Sequence, residues 1–270
     1  SVVAVSLNNT KLSERLARKG REGSEQITEV IGSCFESILA VAYDNGASLL
    51  KFGGDALLLW FQDDGHVARA CRAAVLMRRV LRDVGRIDVP GAKVTLRMSQ
   101  GVHTGRFHFF MVGTTHHELL PTGPAWRRVV SMEHVAEAGE ILISTETAAL
   151  LPPRCLGATK GPGVLLQREP PGKEKVPLIP RPPVPHDALA RCLAPAVRAH
   201  VLGGGGAPEH RPVTIAFIRI EGTDAMIEQQ GPAATAEALH RLVSVVEAAT
   251  KAQGIALLAS DGDVDGGKLI

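Results

Sequence analysis

Apolar positions along this chain change period several times, and each change marks a predicted element. Val2 to Ser6 is a short apolar run, partly β-branched, that suits a buried strand. A helical stretch begins at Ser13-Glu14-Arg15-Leu16. A second helix runs from about Ser24 to Tyr43, where Ile27, Ile31, Phe35, Ile38, Leu39 and Ala42 follow the helical period, and Asp44-Asn45-Gly46 ends it. Ser48-Leu49-Leu50 and Ala56-Leu57-Leu58-Leu59-Trp60-Phe61 are apolar runs around a Gly-Gly turn, which predicts a β-hairpin with Asp55 at its tip. His66 to Val84 is another amphipathic helix, through Ala70, Ala74, Met77 and Leu81. Val94 to Val102 alternates as a strand, and Phe107 to Val112 is expected to be its partner. Arg127 to Ala136 predicts a short helix, Glu140 to Ser144 a strand, and Glu146 to Leu151 a small helix. Hairpins mixed with crossing helices make an α+β pattern.

The period then disappears. Eight prolines fall between Pro162 and Pro185, and Gly203-Gly204-Gly205-Gly206 follows, a composition that marks a linker. A short amphipathic helix, Asp187 to Leu202, lies between the two. Beyond the linker the chain repeats itself. Val213 to Ile218 matches the opening strand, and Ala233 to Ala252 matches the long helix, with Leu239, Leu242, Val243 and Val246 as its stripe. Gly254-Ile255-Ala256-Leu257-Leu258 parallels Gly46-Ala47-Ser48-Leu49-Leu50. The expected division is a first lobe over 1–160, a linker over 161–211, and the start of a second lobe over 212–270. A third of a lobe cannot close its own sheet, so a longer parent protein is expected.

Composition narrows the function classes. In 270 residues the formal net charge is +2, with no block of five or six like charges, which argues against a phosphate-driven nucleic-acid binder. Arg78, Arg79 and Arg82, like Arg15, Arg18, Lys19 and Arg21, read as solvated helix faces. The four cysteines form no Cys-x-x-Cys pair, and Cys34 and Cys71, inside helical apolar patterns, read as small core residues in a reducing compartment. The sequence contains neither a membrane-spanning apolar run nor a signal-peptide pattern, so a cytoplasmic location is expected. His103, His108, His116, His117 and His134 lack zinc-ligand spacing and read as structural or solvent-facing.

Three segments carry a resemblance: Phe52-Gly53-Gly54-Asp55-Ala56, Gly123 to Ser131, and Ala138 to Ser144. Together they resemble the catalytic domain of class III nucleotidyl cyclases, nearest the soluble, bicarbonate-responsive adenylyl cyclase branch and its tandem actinobacterial relatives. The resemblance covers roughly residues 2–168 and resumes near 212. It implies a ferredoxin-like α+β lobe that works with a second lobe, within the chain or in a homodimer. It also implies ATP or GTP as ligand, cyclic nucleotide and pyrophosphate as products, and two Mg²⁺ or Mn²⁺ ions held by carboxylates.

Carried over position by position, the resemblance makes Asp55 a metal ligand. The second metal Asp, on the first strand, falls at Ala4 or Val5. The phosphate-facing loop is replaced by Asn8-Asn9-Thr10, which could offer amide and hydroxyl groups or cap the next helix. The transition-state Asn and Arg correspond to Arg127 and Ser131; Arg127 or Arg128 could reach phosphate, though a solvated surface is the simpler reading. Lys51 matches a regulatory-site Lys of the bicarbonate-responsive branch, with a Lys extending its head to solvent as the plain alternative. In the second copy, Arg219 and Glu221 stand near the strand position, Val264 at the purine-reading position and Lys268 at the hairpin position, and Asp261, Asp263 and Asp265 form an acidic hairpin. Each lost transition-state contact lowers the rate ~10²-fold or more. Two readings follow: a weak or inactive cyclase-family enzyme, or a degenerate cyclase-like module that binds nucleotide or a small anion.

Overall fold

A computed structural model describes residues 1–8, 21–53, 55–89, 92–172, 183–204, 213–263 and 266–270. The elements run β1 (Val2–Asn8), α1 (Arg21–Asp44), β2 (Ser48–Gly53), β3 (Ala56–Trp60), α2 (His66–Val84), β4 (Arg86–Val89), β5 (Ala92–Thr95), β6 (Arg97–His103), β7 (His108–Val112) and β8 (Glu118–Thr122). They continue with α3 (Pro124–Val135), β9 (Ile141–Ser144), α4 (Thr145–Ala148), β10 (Leu156–Lys160), β11 (Gly163–Leu166), α5 (His186–Ala190), α6 (Pro195–Leu202), β12 (Ile218–Glu221), α7 (Thr223–Ala252), β13 (Ser260–Asp263) and β14 (Gly266–Leu269). Two compact units result. One comprises Ser1–Gly105 with Arg128–Ile179; the other comprises Arg106–Arg127 with Pro180–Ile270.

The first unit is built on a seven-stranded sheet in the order β10-β11-β9-β6-β1-β3-β2. All its pairings are antiparallel except β6 with β9. β1 lies inside the sheet, so its apolar run is covered on both faces; Val2 and Val3 are both fully buried. Val3, Val5, Leu57, Leu59 and Val102 form a core with Phe35 and Ile38 of α1 and Ala70, Ala74 and Met77 of α2. On the other face Gly101 admits the backbone of α3, since a Cβ there would stand 2.4 Å from the Glu133 nitrogen. α1 ends as its sequence predicts: the Asn45 side chain donates to the Val41 carbonyl at 2.9 Å, and Gly46 takes φ +80°. His66 to Val84 forms α2 with the expected bounds, and Cys34 and Cys71 are buried free thiols.

Several expectations are corrected. The predicted strand Val94 to Val102 is two strands, β5 and β6, broken at Leu96, whose N–H donates to the Gly85 carbonyl at 2.8 Å. Its predicted partner over Phe107 to Val112 pairs instead with β8, Phe110 opposite Leu120. The β8 segment carries Pro121, and a proline argues against a strand by sequence alone. Leu156–Lys160 and Gly163–Leu166 add an edge hairpin to the first sheet where no strand is predicted. Asp187 to Leu202 is two short helices, the second opening at Pro195. The helical start at Ser13 lies outside the described residues.

In the second unit β12, β14 and β13 form an antiparallel sheet in that order, with α7 between β12 and β13. The strand order and the helix connection are those of β1, β3 and β2 around α1. The first strand of the second unit begins later than expected, at Ile218 rather than Val213, and within residues 254–259 Leu258 and Ala259 bond to the sheet, at Ile270. Phe110, Val112 and Leu120 of the β7–β8 hairpin share a core with Ile220, Leu239, Val243 and Leu269.

Candidate functional site

Strand register decides which candidate residues lie together. Across the first sheet Lys51 pairs with Leu58, Leu58 with Ala4, Ala4 with Gly101, and Gly101 with Leu142. These residues form one row on one face, the face on which Gly101 meets α3. Lys51 reaches that row because the β2–β3 register shifts between Leu49 and Lys51, leaving Leu50 as an extra residue. Simple alternation along β2 would have placed Lys51 on the face of Leu49. Lys51 is half-buried there.

Asp55 follows the turn at the tip of the same hairpin. Its carbonyl accepts the Leu7 N–H at 2.8 Å, and Ser6 pairs with the neighbouring Ala56. The Asp55 side chain is exposed and makes no ion pair among the described residues. Of the two positions expected for the second metal carboxylate, Val5 is 1% exposed and belongs to the core beneath α1 and α2. Ala4 lies on the other face, opposite Leu58, three residues beyond Asp55 along β3, or about 10 Å at the strand rise. The residue flanking Asp55 across the strands on that face is Ser6, a position that the sequence reading did not weigh.

The donor set for divalent metal is therefore one carboxylate with a neutral hydroxyl across the sheet. No group of three or more His, Cys, Asp or Glu side chains able to hold a metal ion occurs among the described residues. A hard divalent ion takes about six oxygen ligands, several of them anionic, so these residues do not fit a two-ion centre. Asn9 and Thr10 lie outside the described residues, as does the side chain of Asn8; the Asn8 backbone ends β1 opposite Arg97.

The two helix positions expected for transition-state groups are committed elsewhere or chemically silent. Arg127, read as solvated, is ion-paired with Asp224 at the start of α7, with 2.5 Å between Nη2 and Oδ2. Burial pushes the Asp224 carboxyl up, as does Glu228, while Arg127 opposes the shift. Arg128 pairs with Glu146 at 3.2 Å. Ser131, one turn beyond Arg127, is half-buried and offers a neutral hydroxyl. Neither carboxylate partner was legible beforehand, since each is far from its arginine in the chain and no local pattern marks it.

The second copy requires a correction. Lys268 does not occupy the position of Asp55. It lies within β14, paired across the strands with Arg219 and Asp261, and its ammonium is 3.1 Å from the Asp261 carboxylate. Register equates this row with Ala4, Leu58 and Lys51. The position immediately before the second hairpin strand, held by Asp55 in the first copy, falls at 265, outside the described residues with Val264. Arg219 also pairs with Glu221 at 3.0 Å. Of the acidic hairpin, Asp261 is thus held by Lys268.

Two of the histidines are buried. His103 at the end of β6 shares a 2.8 Å hydrogen bond between Nδ1 and the Ser144 hydroxyl. His116, in the turn after β7, lies 3.3 Å from Glu118 and 3.8 Å from Glu247. Glu247 accepts hydrogen bonds from the Thr114 N–H and hydroxyl at 2.7 Å. Burial alone would raise its carboxyl, but the hydrogen bonds from Thr114, Thr115 and His116 outweigh burial and hold it below the usual range. These groups tie the β7–β8 turn to α7.

No family model matches the chain, and no curated protein does. Solved structures do. The guanylyl cyclase Cya2 matches with a TM-score of 0.51 at 20% identity, over 61% of this chain and 88% of that one. The adenylyl cyclase CyaB from P. aeruginosa matches with a TM-score of 0.50 at 20% identity, over 63% of this chain and 95% of that one. The chain has the α+β fold of a class III nucleotidyl cyclase catalytic domain.

Proposed function

We propose that this chain is a catalytically degenerate nucleotidyl cyclase-like module of cyclic-nucleotide signalling. It binds a nucleoside triphosphate, ATP in preference to GTP, and acts as a regulatory lobe paired with another cyclase lobe. The observation that carries the reading is the pairing of Ser6 with Ala56, next to Asp55: where a second metal carboxylate would be needed, that face of the sheet offers a neutral hydroxyl. Engagement of Arg127 by Asp224 supports it, because a guanidinium already paired is a poor donor to a transition state. Lys51, an ammonium on the same face, is the group we assign to a small anion such as bicarbonate.

One observation favours a second reading, a cyclase of low activity. Asp55 is retained at an exposed hairpin tip with no ion pair among the described residues, as a metal ligand would be. The test separates the two. Purified protein is given ATP or GTP with Mn²⁺, with and without bicarbonate, and both calorimetric binding and cyclic-nucleotide formation are followed. The regulatory reading expects nucleotide binding, weakened in Asp55→Ala, and no cyclic product. Cyclic product that disappears in Asp55→Ala would overturn it and establish an enzyme.

A further inference from the structure

Away from the Asp55 hairpin, the first unit carries a cavity of about 600 Å³ around which five guanidiniums converge: Arg78, Arg79, Arg82, Arg86 and Arg97. By sequence Arg78, Arg79 and Arg82 are a solvated face of α2. The fold adds two more from separate elements. Arg86 opens β4, and Arg97 opens β6 directly after the β4–β5 hairpin returns. Thr95, opposite Arg86 in the hairpin register, and Gln167, beyond β11, supply neutral hydrogen-bonding groups. Leu81, Leu96 and Met98 form the buried floor, each 1% exposed. Among the described residues, no acidic side chain lines the cavity.

The charges in this cluster are poorly compensated. Arg79 pairs with Glu169 at 2.5 Å, and Arg78 donates to the Gly139 carbonyl at 3.3 Å. Arg82, Arg86 and Arg97 make no ion pair among the described residues. Burial, then the neighbouring charges of Arg79 and Arg82, hold the Arg78 guanidinium below its usual value. A cation in the last turn of a helix is favoured by the helix dipole, which accounts for Arg82. It does not account for arginines delivered to the same hollow by β4 and β6. Like charges gathered in this way oppose folding unless an anion joins them.

The geometry points to a binding site for an oligophosphate chain, inorganic or carried by a nucleotide, distinct from the Asp55 hairpin. The volume lies in the range of small-molecule sites, about 300–1,000 Å³. Guanidinium forks match phosphate oxygens in pairs, and several arginines call for more than one phosphate. A single phosphate would leave most of them unmatched. An acidic peptide would want an extended groove with exposed apolar anchors, and here the apolar lining residues are a buried floor.

The experiment is calorimetric titration of the whole chain with inorganic tripolyphosphate, ATP and AMP. It is run in chelator, so that no divalent ion contributes, and at about 0.15 M salt, where long-range attraction is screened. Tripolyphosphate and ATP are expected to bind one per chain and raise the melting temperature, with AMP at least tenfold weaker. Arg82→Gln and Arg97→Gln, both at exposed positions, should each weaken tripolyphosphate binding about tenfold. Arg154→Gln, the same change at an exposed site elsewhere, should leave it unaltered. Equal binding of tripolyphosphate and ATP assigns the phosphate chain as the recognised group, and tighter ATP binding adds a contact to the nucleoside. No binding of either, or equal losses in Arg154→Gln, would overturn the proposal. Binding of an oligo-aspartate peptide in preference to both would overturn it in favour of a protein partner. Because the site is read without divalent metal, its failure is separable from failure of the Asp55 reading.

Discussion

At the scale of single residues, burial decides what a titratable group can do. His103 is 5% exposed and its ring is held in the neutral form: burial lowers its pKa to about 4, with Glu146 opposing and Arg128 reinforcing the shift. The unfolded chain, with an ordinary value near 6.5, binds the proton more readily between those limits. The contribution of the neutral ring to stability is therefore whole above pH 6.5 and is lost as pH falls toward 4, by about 3 kcal/mol. Urea unfolding across that range should show the loss. His103→Gln, which can still hydrogen-bond Ser144 but cannot titrate, should flatten the curve there. An unchanged slope in the variant would assign the acid sensitivity to other groups. Sequence reading placed this histidine among structural or solvent-facing residues; only packing shows which.

At the scale of elements, register matters more than motif. Alternation along β1 puts Val3, Val5 and Leu7 in the core and Ala4 and Ser6 on the face that carries Lys51. Counting from a motif cannot distinguish Ala4 from Val5, because one residue of slip exchanges the faces. The sheet distinguishes them and brings in Ser6. A carboxylate introduced by Ser6→Asp, across from Ala56 and next to Asp55, should tighten Mn²⁺ binding by tenfold or more in calorimetry or by the paramagnetic signal of free Mn²⁺. Ala4→Asp, about 10 Å along the hairpin, should do so less. Val5→Asp places a charge under two helices and should lower stability by more than about 4 kcal/mol. If Ala4→Asp tightens the metal and Ser6→Asp does not, the register assignment of the site is wrong.

At the scale of the molecule, the hairpin of β7 and β8 interrupts the first unit in sequence but belongs to the second in space. Phe110, Val112 and Leu120 bury against Ile220, Leu239 and Val243, and Glu247 caps the turn. The chain cut after residue 172 would keep the seven-stranded sheet but leave that apolar hairpin face without its cover. Such a fragment is expected to self-associate or bind a hydrophobic dye, while the 270-residue chain does so far less. Light scattering on both forms tests this. Equal monodispersity without dye binding would mean that the hairpin needs no second-unit core.

The sequence by itself determined the long helices and the Asp55 hairpin, because these rest on local periodicity and turn chemistry, which short stretches encode. It also determined that Asp55 lacks a matching carboxylate at Ala4 or Val5, since residue identity needs no coordinates. Only the tertiary structure decided that β7 pairs with β8, that Leu50 shifts Lys51 onto the face of Ala4, that Arg127 is held by Asp224, and that five arginines from three elements share one hollow. The physical reason is common to all four. Pairing partners, register shifts, ion pairs and converging charges depend on groups far apart in the chain, and nothing in either segment alone carries the contact energy that joins them.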